Sequence, residues 1–300
     1  MTNSLGMQCI GLSSRALLIA VADGRSWLAG DAFREISPLP SSKIAVERST
    51  AAASAIEGAI AAGFAQADSG PASGPYTLAR YVRWLVGNFV FAGQTPGLFR
   101  RGAERLEALG RADLAAFARQ KADEETGHAA LAHRDLETLG LSVADMVRLA
   151  QPPSAQAFAD RFRACVESDQ PISLFGFSYC LERMAVERDR GFVRRVEAVL
   201  PPGCRALRFL KVHSAIGSDS AHVHEQLHVF EALGADELTA VARAAYETAV
   251  MLTRQGLIDR ALTDEETDRH LRAAGIEVAC RTDSGRRAGL GGRRPLAAAG

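Results

Sequence analysis

Between Tyr76 and about Ala273, one helical pattern follows another with almost no strand signal between them. Apolar residues recur there at three- and four-residue spacing, which places them on one face of a helix. Glycine and proline interrupt the patterns and indicate where helices end. The interruptions are Gly93 to Pro96, Gly110, Gly140, Pro152-Pro153, Gln170-Pro171, Pro201 to Gly203, Gly217 and Gly234. Because amphipathic helices bury their apolar faces against each other, we predict a single all-α bundle.

The two ends of the chain carry weaker patterns. Residues 1–41 read as irregular, and residues 43–67 read as an alanine-rich helix that lacks large side chains and should pack loosely. Ser, Gly and Pro in residues 68–75 indicate a linker. The C-terminal tail is rich in Arg, Gly and Ala, which is typical of disorder. We therefore expect an N-terminal extension over residues 1–75, a helical domain over 76–275 and a disordered tail over 276–300.

Composition argues against several classes of protein. The formal net charge is zero, so there is no electrostatic basis for binding nucleic acid or an anionic membrane. No apolar run approaches the ~20 residues of a membrane span, and no convincing signal peptide is present. The five cysteines are scattered, with no CxxC pair, as in a protein with reduced thiols. We expect a cytoplasmic protein without a nucleic-acid or membrane partner.

Two pairs in the helical region are of particular interest, each with a carboxylate three residues before a histidine. Glu125 and His128 form the first pair, and Asp219 and His222 form the second. Three residues advance by about 300° around a helix, so both side chains of a pair point to one side. Carboxylates and imidazoles from several helices form the sites of di-iron and di-manganese proteins. The two pairs therefore predict a metal site inside the bundle.

Two glutamates interrupt apolar stripes of predicted helices. Glu125 lies in a helix predicted from about Arg111 to Leu139, and Glu182 lies in a later one. A buried carboxylate without a partner costs on the order of several kcal/mol, so a cation or a hydrogen-bond donor is expected beside each. The alternatives are a salt bridge to an arginine, such as Arg183 beside Glu182, or a stripe turned enough to solvate the carboxylate.

The second pair follows Gly217-Ser218, which indicates a helix break. Asp219 therefore has an alternative role as a helix N-cap or first-turn residue. His213 precedes the break and would reach the site if the backbone there is irregular. Either residue, or both, could bind metal, and the sequence leaves this choice open.

These residues resemble the motifs of a known family. The run Glu124 to His128, continuing to Asp135-Leu136 and Leu139-Gly140, resembles the EExGH…DL..LG signature of the heme-oxygenase-like iron-containing redox enzymes, also called heme-oxygenase-like di-metal oxidases and oxygenases. The resemblance covers roughly Tyr76 to Leu257 and implies a heme-oxygenase-like helical bundle. The metal ligands that it implies are Glu125, His128, Glu182, His213, Asp219 and His222.

The resemblance also implies an activity. A non-haem iron oxidoreductase of the di-iron type would use dioxygen to oxidise a small organic substrate. Fe(II) is the expected metal, with manganese as an alternative, because both bind carboxylates and imidazoles. The competing interpretation is a non-catalytic or metal-deficient helical binding protein with the same fold. A homodimer is left open.

One carboxylate of a two-metal site has no counterpart in this chain. The family places it in the preceding helix or earlier in the helix of Glu125. Here residues 77–91 contain no acid and offer only Asn88, and Lys121 stands one helical turn before Glu125. We therefore predict that one iron binds firmly through Glu125, His128, Glu182 and His222, and that a second iron binds weakly.

Metal-free relatives of the fold supply further alternatives. Thiaminase-like members use a cysteine nucleophile, for which Cys180 is the candidate, although it lies about 200° from Glu182 around their helix. Quinone-cofactor synthase relatives bind an organic substrate and oxygen through His and Arg. Haem ligation by a first-helix histidine is excluded, because the first histidine of the chain is His128.

Overall fold

A small antiparallel sheet precedes a series of helices. The computed structural model describes residues 7–14, 16–21, 25–30, 33–36, 50–66, 76–214, 216–217, 219–259 and 262–273. The strands are β1 (Met7–Ser13), β2 (Ala16–Val21), β3 (Ser26–Ala29) and β4 (Phe33–Ile36). The helices are α1 (Ala51–Gln66), α2 (Leu78–Ala92), α3 (Thr95–Ala108), α4 (Ala112–Glu125), α5 (His128–Thr138), α6 (Val143–Ala150), α7 (Pro153–Glu167), α8 (Ser173–Val186), α9 (Arg190–Glu197), α10 (Arg208–Val212), α11 (Asp219–Glu231), α12 (Ala235–Ile258) and α13 (Asp264–Ala273).

The predicted helical bundle is confirmed. Each predicted glycine or proline interruption falls between two helices, for example Gly140 between α5 and α6 and Pro152-Pro153 at the start of α7. None of the helices in the described ranges is long and apolar enough to cross a membrane. The predicted tail over residues 276–300 lies outside the described residues.

The prediction that residues 1–41 are irregular is wrong for their described part, which forms the sheet. Its strands are hydrogen-bonded in the order β1-β2-β3-β4, each antiparallel to the next. Within β2, Leu18 is fully buried while its neighbour Leu17 is 40% exposed, as expected for alternating faces. Strands of only four to seven residues carry too few alternations to stand out in the sequence.

The alanine-rich helix α1 packs closely, contrary to the expectation of loose packing. A Cβ atom on Gly58 would lie 3.0 Å from Oγ of Ser26 in β3, and a Cβ on Gly63 would lie 2.7 Å from the Tyr246 carbonyl oxygen in α12. Small side chains therefore allow α1 to approach both the sheet and α12. The packed unit thus includes the sheet and α1, which precede the domain boundary predicted at residue 76.

Two groups of buried apolar side chains hold the helices together. The first core joins the sheet to α1, α3, α4, α7, α8, α11 and α12, and the second joins α2, α5, α6, α9, α10 and α13. Representative members of the first core are Leu18, Ile56, Leu114, Phe175 and Val241. Representative members of the second core are Val82, Leu136, Met146, Phe209 and Leu271. Because α4 belongs to the first core and α5 to the second, the turn between them lies where the cores meet.

Candidate metal centre

The sequence predicted that Glu125 and His128 share one helix, but in the structure they belong to two. Helix α4 ends at Glu125, Thr126 is extended with ψ 122°, Gly127 has φ +95° and α5 begins at His128. Glycine suits this turn because side chains clash in the left-handed region. The turn still brings the pair together, with Nδ1 of His128 2.9 Å from Oε2 of Glu125.

The Glu125 side chain is buried, with only 8% of the residue exposed, and yet its environment favours the ionised form. Burial raises the pKa of this carboxyl. The hydrogen bond from His128 and the charges of His213, His128 and Lys121 lower it by more, so the pKa lies below its ordinary value. An ionised, buried carboxylate beside imidazole side chains is suited to bind a metal ion.

His213 completes a triad with this pair. It follows the last residue of α10, with φ −92° and ψ 62°, and its ring centroid lies 4.7 Å from that of His128 in an edge-on arrangement. One ligand atom each from Glu125, His128 and His213 lie within 4.8 Å of one another. Among the residues that the structure describes, this triad is the group in which at least three His, Cys, Asp or Glu side chains lie close enough together to hold an ion.

A buried aspartate anchors the helix that carries His213. The side chain of Asp135 in α5 is fully buried and accepts hydrogen bonds from the backbone N of Phe209 at 2.9 Å and from Nη1 of Arg208 at 3.0 Å. These bonds satisfy donors at the start of α10 that have no partner within the helix. Asp135 therefore positions the segment that carries His213 and is not a member of the triad.

Glu182 lies outside the triad and takes part in a buried hydrogen-bond network. Its Oε2 accepts from Nε2 of Gln226 at 2.6 Å, and its Oε1 lies 3.3 Å from Nζ of Lys121. Ser178 in turn donates to Oε1 of Gln226 at 3.1 Å. Arg183, the alternative partner of Glu182, pairs with Glu57 and Glu187. A role of Glu182 as a metal ligand stays a prediction.

His222 is also separate from the triad. Its Nε2 lies 3.5 Å from Oε2 of Glu124. The Glu124 side chain is partly buried, and Lys121 Nζ lies 3.0 Å from the same oxygen. Burial raises the pKa of the Glu124 carboxyl, but hydrogen bonds from Gln120 and Lys121 lower it by more.

The sequence reading missed Lys121 as a member of this site. Its side chain is fully buried among carboxylates. Burial lowers the pKa of the ammonium, but the charges of Glu182, Glu124 and Glu125 raise it by more, so the group is held in its charged form. The signal was present in the sequence, because Lys121 lies four residues before Glu125 and four residues separate neighbours on one helix face.

His213 and Asp219 belong to different segments. The expected break at Gly217 is present, since α10 ends at Val212 and α11 begins at Asp219. A Cβ atom on Gly217 would lie 1.9 Å from the Val212 carbonyl oxygen, so only glycine fits there. Asp219 is the first residue of α11, which agrees with the alternative role of a first-turn residue. Its side chain is not among those that the structure describes. Its role as a metal ligand stays a prediction.

A cavity of about 160 Å³ adjoins the triad. Glu125, Glu182, His213 and Asn88 contribute to its wall, together with five phenylalanines. These aromatic residues are Phe91, Phe158, Phe162, Phe177 and Phe209. The cavity thus has an apolar body and a polar wall that contains two of the three triad residues.

Similarity to solved structures is seen at the level of the fold. A domain of unknown function from Shewanella denitrificans is similar to this chain, with 15% identity and a TM-score of 0.52, over 67% of this chain and 82% of that one. That domain has a heme oxygenase-like fold. This chain has a heme oxygenase-like fold too. A TenA homologue from Pyrococcus furiosus aligns with a TM-score of 0.47 and 15% identity, over 61% of this chain and 85% of that one. No protein-family model and no curated protein matches the sequence.

Within this heme oxygenase-like fold, a cysteine nucleophile at Cys180 is not supported. Cys180 is fully buried in α8, and burial together with the charge of Glu57 raises the pKa of its thiol far above the ordinary value. Since the thiolate is the nucleophile, such a thiol is inert at neutral pH.

The triad does suit a metal ion. Two imidazoles and one carboxylate are the donor set of non-haem ferrous sites that keep open positions for dioxygen. The chemistry of the three side chains therefore fits one ferrous ion.

Proposed function

We propose that the protein is a non-haem iron-dependent oxidase or oxygenase that uses dioxygen to oxidise a small organic substrate. The observation that carries the proposal is the convergence of Glu125, His128 and His213 beside a cavity. Iron held there would supply dioxygen binding and redox chemistry at its open positions.

The three side chains would have different roles in holding the ion. Glu125 brings a negative charge that its surroundings already keep ionised. His128 and His213 would bind the ion through neutral imidazole nitrogens, so protons compete with the ion for these nitrogens. Asp135 holds the short helix that ends beside His213, and thereby limits the movement of that imidazole.

The cavity limits the size and polarity of the substrate. An apolar cavity of roughly 150 Å³ is known to hold a benzene-sized molecule. The volume of about 160 Å³ beside Glu125 and His213 is similar, and phenylalanine rings form much of the wall. We therefore propose a substrate whose reacting part is about one ring in size and mainly apolar.

Anaerobic titration with Fe(II) tests the proposal. Wild-type protein should bind one iron per chain and show a higher Tm with iron, because the ion binds only the folded state. Glu125→Ala and His213→Ala should lose both effects. His224→Ala, a change at an exposed histidine of α11, is the matched control and should keep both. Iron binding that is unchanged in Glu125→Ala would exclude this site.

A second candidate function is a binding protein with the same fold and no iron. It is favoured by the engagement of both Glu182 oxygens with Lys121 and Gln226, which leaves a smaller donor set than a di-iron site needs. This candidate would be supported if Fe(II) causes no stabilisation at neutral pH under anaerobic conditions. Iron-dependent oxygen consumption with an added aromatic or aliphatic substrate would support the enzyme.

A further inference from the structure

A lysine ammonium is buried next to the candidate iron triad. Nζ of Lys121 lies 3.0 Å from Oε2 of Glu124 and 3.3 Å from Oε1 of Glu182, and no part of the side chain reaches solvent. A buried ammonium is costly unless carboxylates surround it, and conversely carboxylates that are partly or fully withdrawn from water are stabilised by a cation. The lysine and the two glutamates therefore stabilise one another as a unit.

The position of this ammonium is set by the helix that also carries a triad residue. Lys121 precedes Glu125 by one turn of α4, so both side chains point to the same side. Glu124 and Glu182 both contact the ammonium, and Nε2 of His222 lies 3.5 Å from Oε2 of Glu124. Two carboxylates and an imidazole around a positive charge, beside a first metal triad, are what a second divalent ion would require.

We propose that the Lys121 ammonium takes the place of a second metal cation and limits the protein to one divalent ion per chain. The proposal rests on the proposed function in one respect, namely that Glu125, His128 and His213 bind the first ion. Removing the lysine side chain would leave space and two uncompensated carboxylates. Glu124, Glu182 and His222 would then be available to bind a second ion.

Co(II) titration with metal analysis and visible absorption tests this independently of activity. Wild-type protein should bind one equivalent of Co(II), and Lys121→Ala should bind two. Lys121→Arg keeps the positive charge and should stay at one. Lys121→Ala combined with Glu182→Gln lacks a donor of the second position and should also return to one. The Tm of Lys121→Ala should rise more with Co(II) than that of the wild type.

The outcomes separate this proposal from the proposed function. Wild-type protein that binds no Co(II) would count against the iron site itself. One equivalent in both wild type and Lys121→Ala, or two in the wild type, would overturn only the role of Lys121. Lys121→Ala can fail to fold without metal, because Glu124 and Glu182 then lack a cation. In that case Co(II) should restore its helical circular dichroism, and failure to do so while the double variant folds would overturn the proposal.

Discussion

Nδ1 of His128 lies 2.9 Å from Oε2 of Glu125, although the two residues belong to different helices. The contact is made by a turn at Thr126-Gly127 and not by the periodicity of one helix. The turn also allows α4 and α5 to pack into different cores. A metal site at this turn would therefore depend on the packing of both cores.

Substitution of Gly127 by alanine should weaken both the fold and metal binding. With φ +95°, a Cβ atom costs about 1–2 kcal/mol in the left-handed region, and relief of this strain would displace His128 from Glu125. Urea denaturation and Fe(II) titration would measure the two effects. Gly97→Ala in α3 is the control, since a Cβ there meets nothing within 4 Å and should leave the protein as stable or more stable. Equal stability of the two variants would contradict the role of the turn.

The aspartate that anchors α10 should affect metal binding from a distance. In Asp135→Asn, an NH₂ group replaces one of the two carboxylate oxygens and cannot accept a hydrogen bond. Either the backbone N–H of Phe209 or the guanidinium of Arg208 therefore loses its acceptor. We expect a loss of about 1–3 kcal/mol in the free energy of unfolding and weaker Fe(II) binding as His213 moves. Glu137→Gln, an exposed change on the same helix, should alter neither by more than about 0.5 kcal/mol. An Asp135→Asn variant with unchanged Fe(II) affinity would show that α10 is held by other contacts.

Side chains on the buried face of the N-terminal sheet should contribute more to the free energy of unfolding than those on its exposed face. Leu18 is fully buried, so Leu18→Ala should cost about 2–5 kcal/mol. Leu17, the preceding residue, is 40% exposed, and Leu17→Ala should cost less than about 1 kcal/mol. Chemical denaturation followed by circular dichroism would measure the difference. Equal, small losses would mean that the sheet is not part of the cooperative unit.

The Glu125 carboxyl should give the metal-free protein an acid-dependent stability. Because its pKa in the folded protein is below the ordinary value of 4.5, its contribution is present above that pH and is lost as the pH falls through the folded value. The stability of wild type relative to Glu125→Gln, which cannot titrate, should therefore decrease as the pH falls below 4.5. Thermal denaturation with a chelator at several acidic pH values would show this. A difference that grows toward low pH would mean that burial outweighs the His128 contact.

Much of the architecture was predictable from local sequence signals. Glycine and proline mark the ends of most helices because their backbones disfavour helix continuation, as at Gly140 and Pro152-Pro153. The apolar periodicity between them predicts which faces are buried. The pair Glu125 and His128 likewise directed attention to the site, because a carboxylate within an apolar stripe needs a partner. His213 was identified only as an alternative ligand, at a position that precedes the predicted helix break.

The tertiary structure decided which candidate side chains meet. Sequence periodicity describes directions around one helix axis, whereas the distances between Glu125, His213 and Glu182 depend on how three different helices pack. The break at Gly127 and the close approach at Gly217 were decisive, because they release His128 and His213 from the directions that a continuous helix would impose. Lys121 illustrates the same limit. Its place in the sequence was visible, but its contacts with Glu124 and Glu182 exist only because α8 buries a carboxylate against α4.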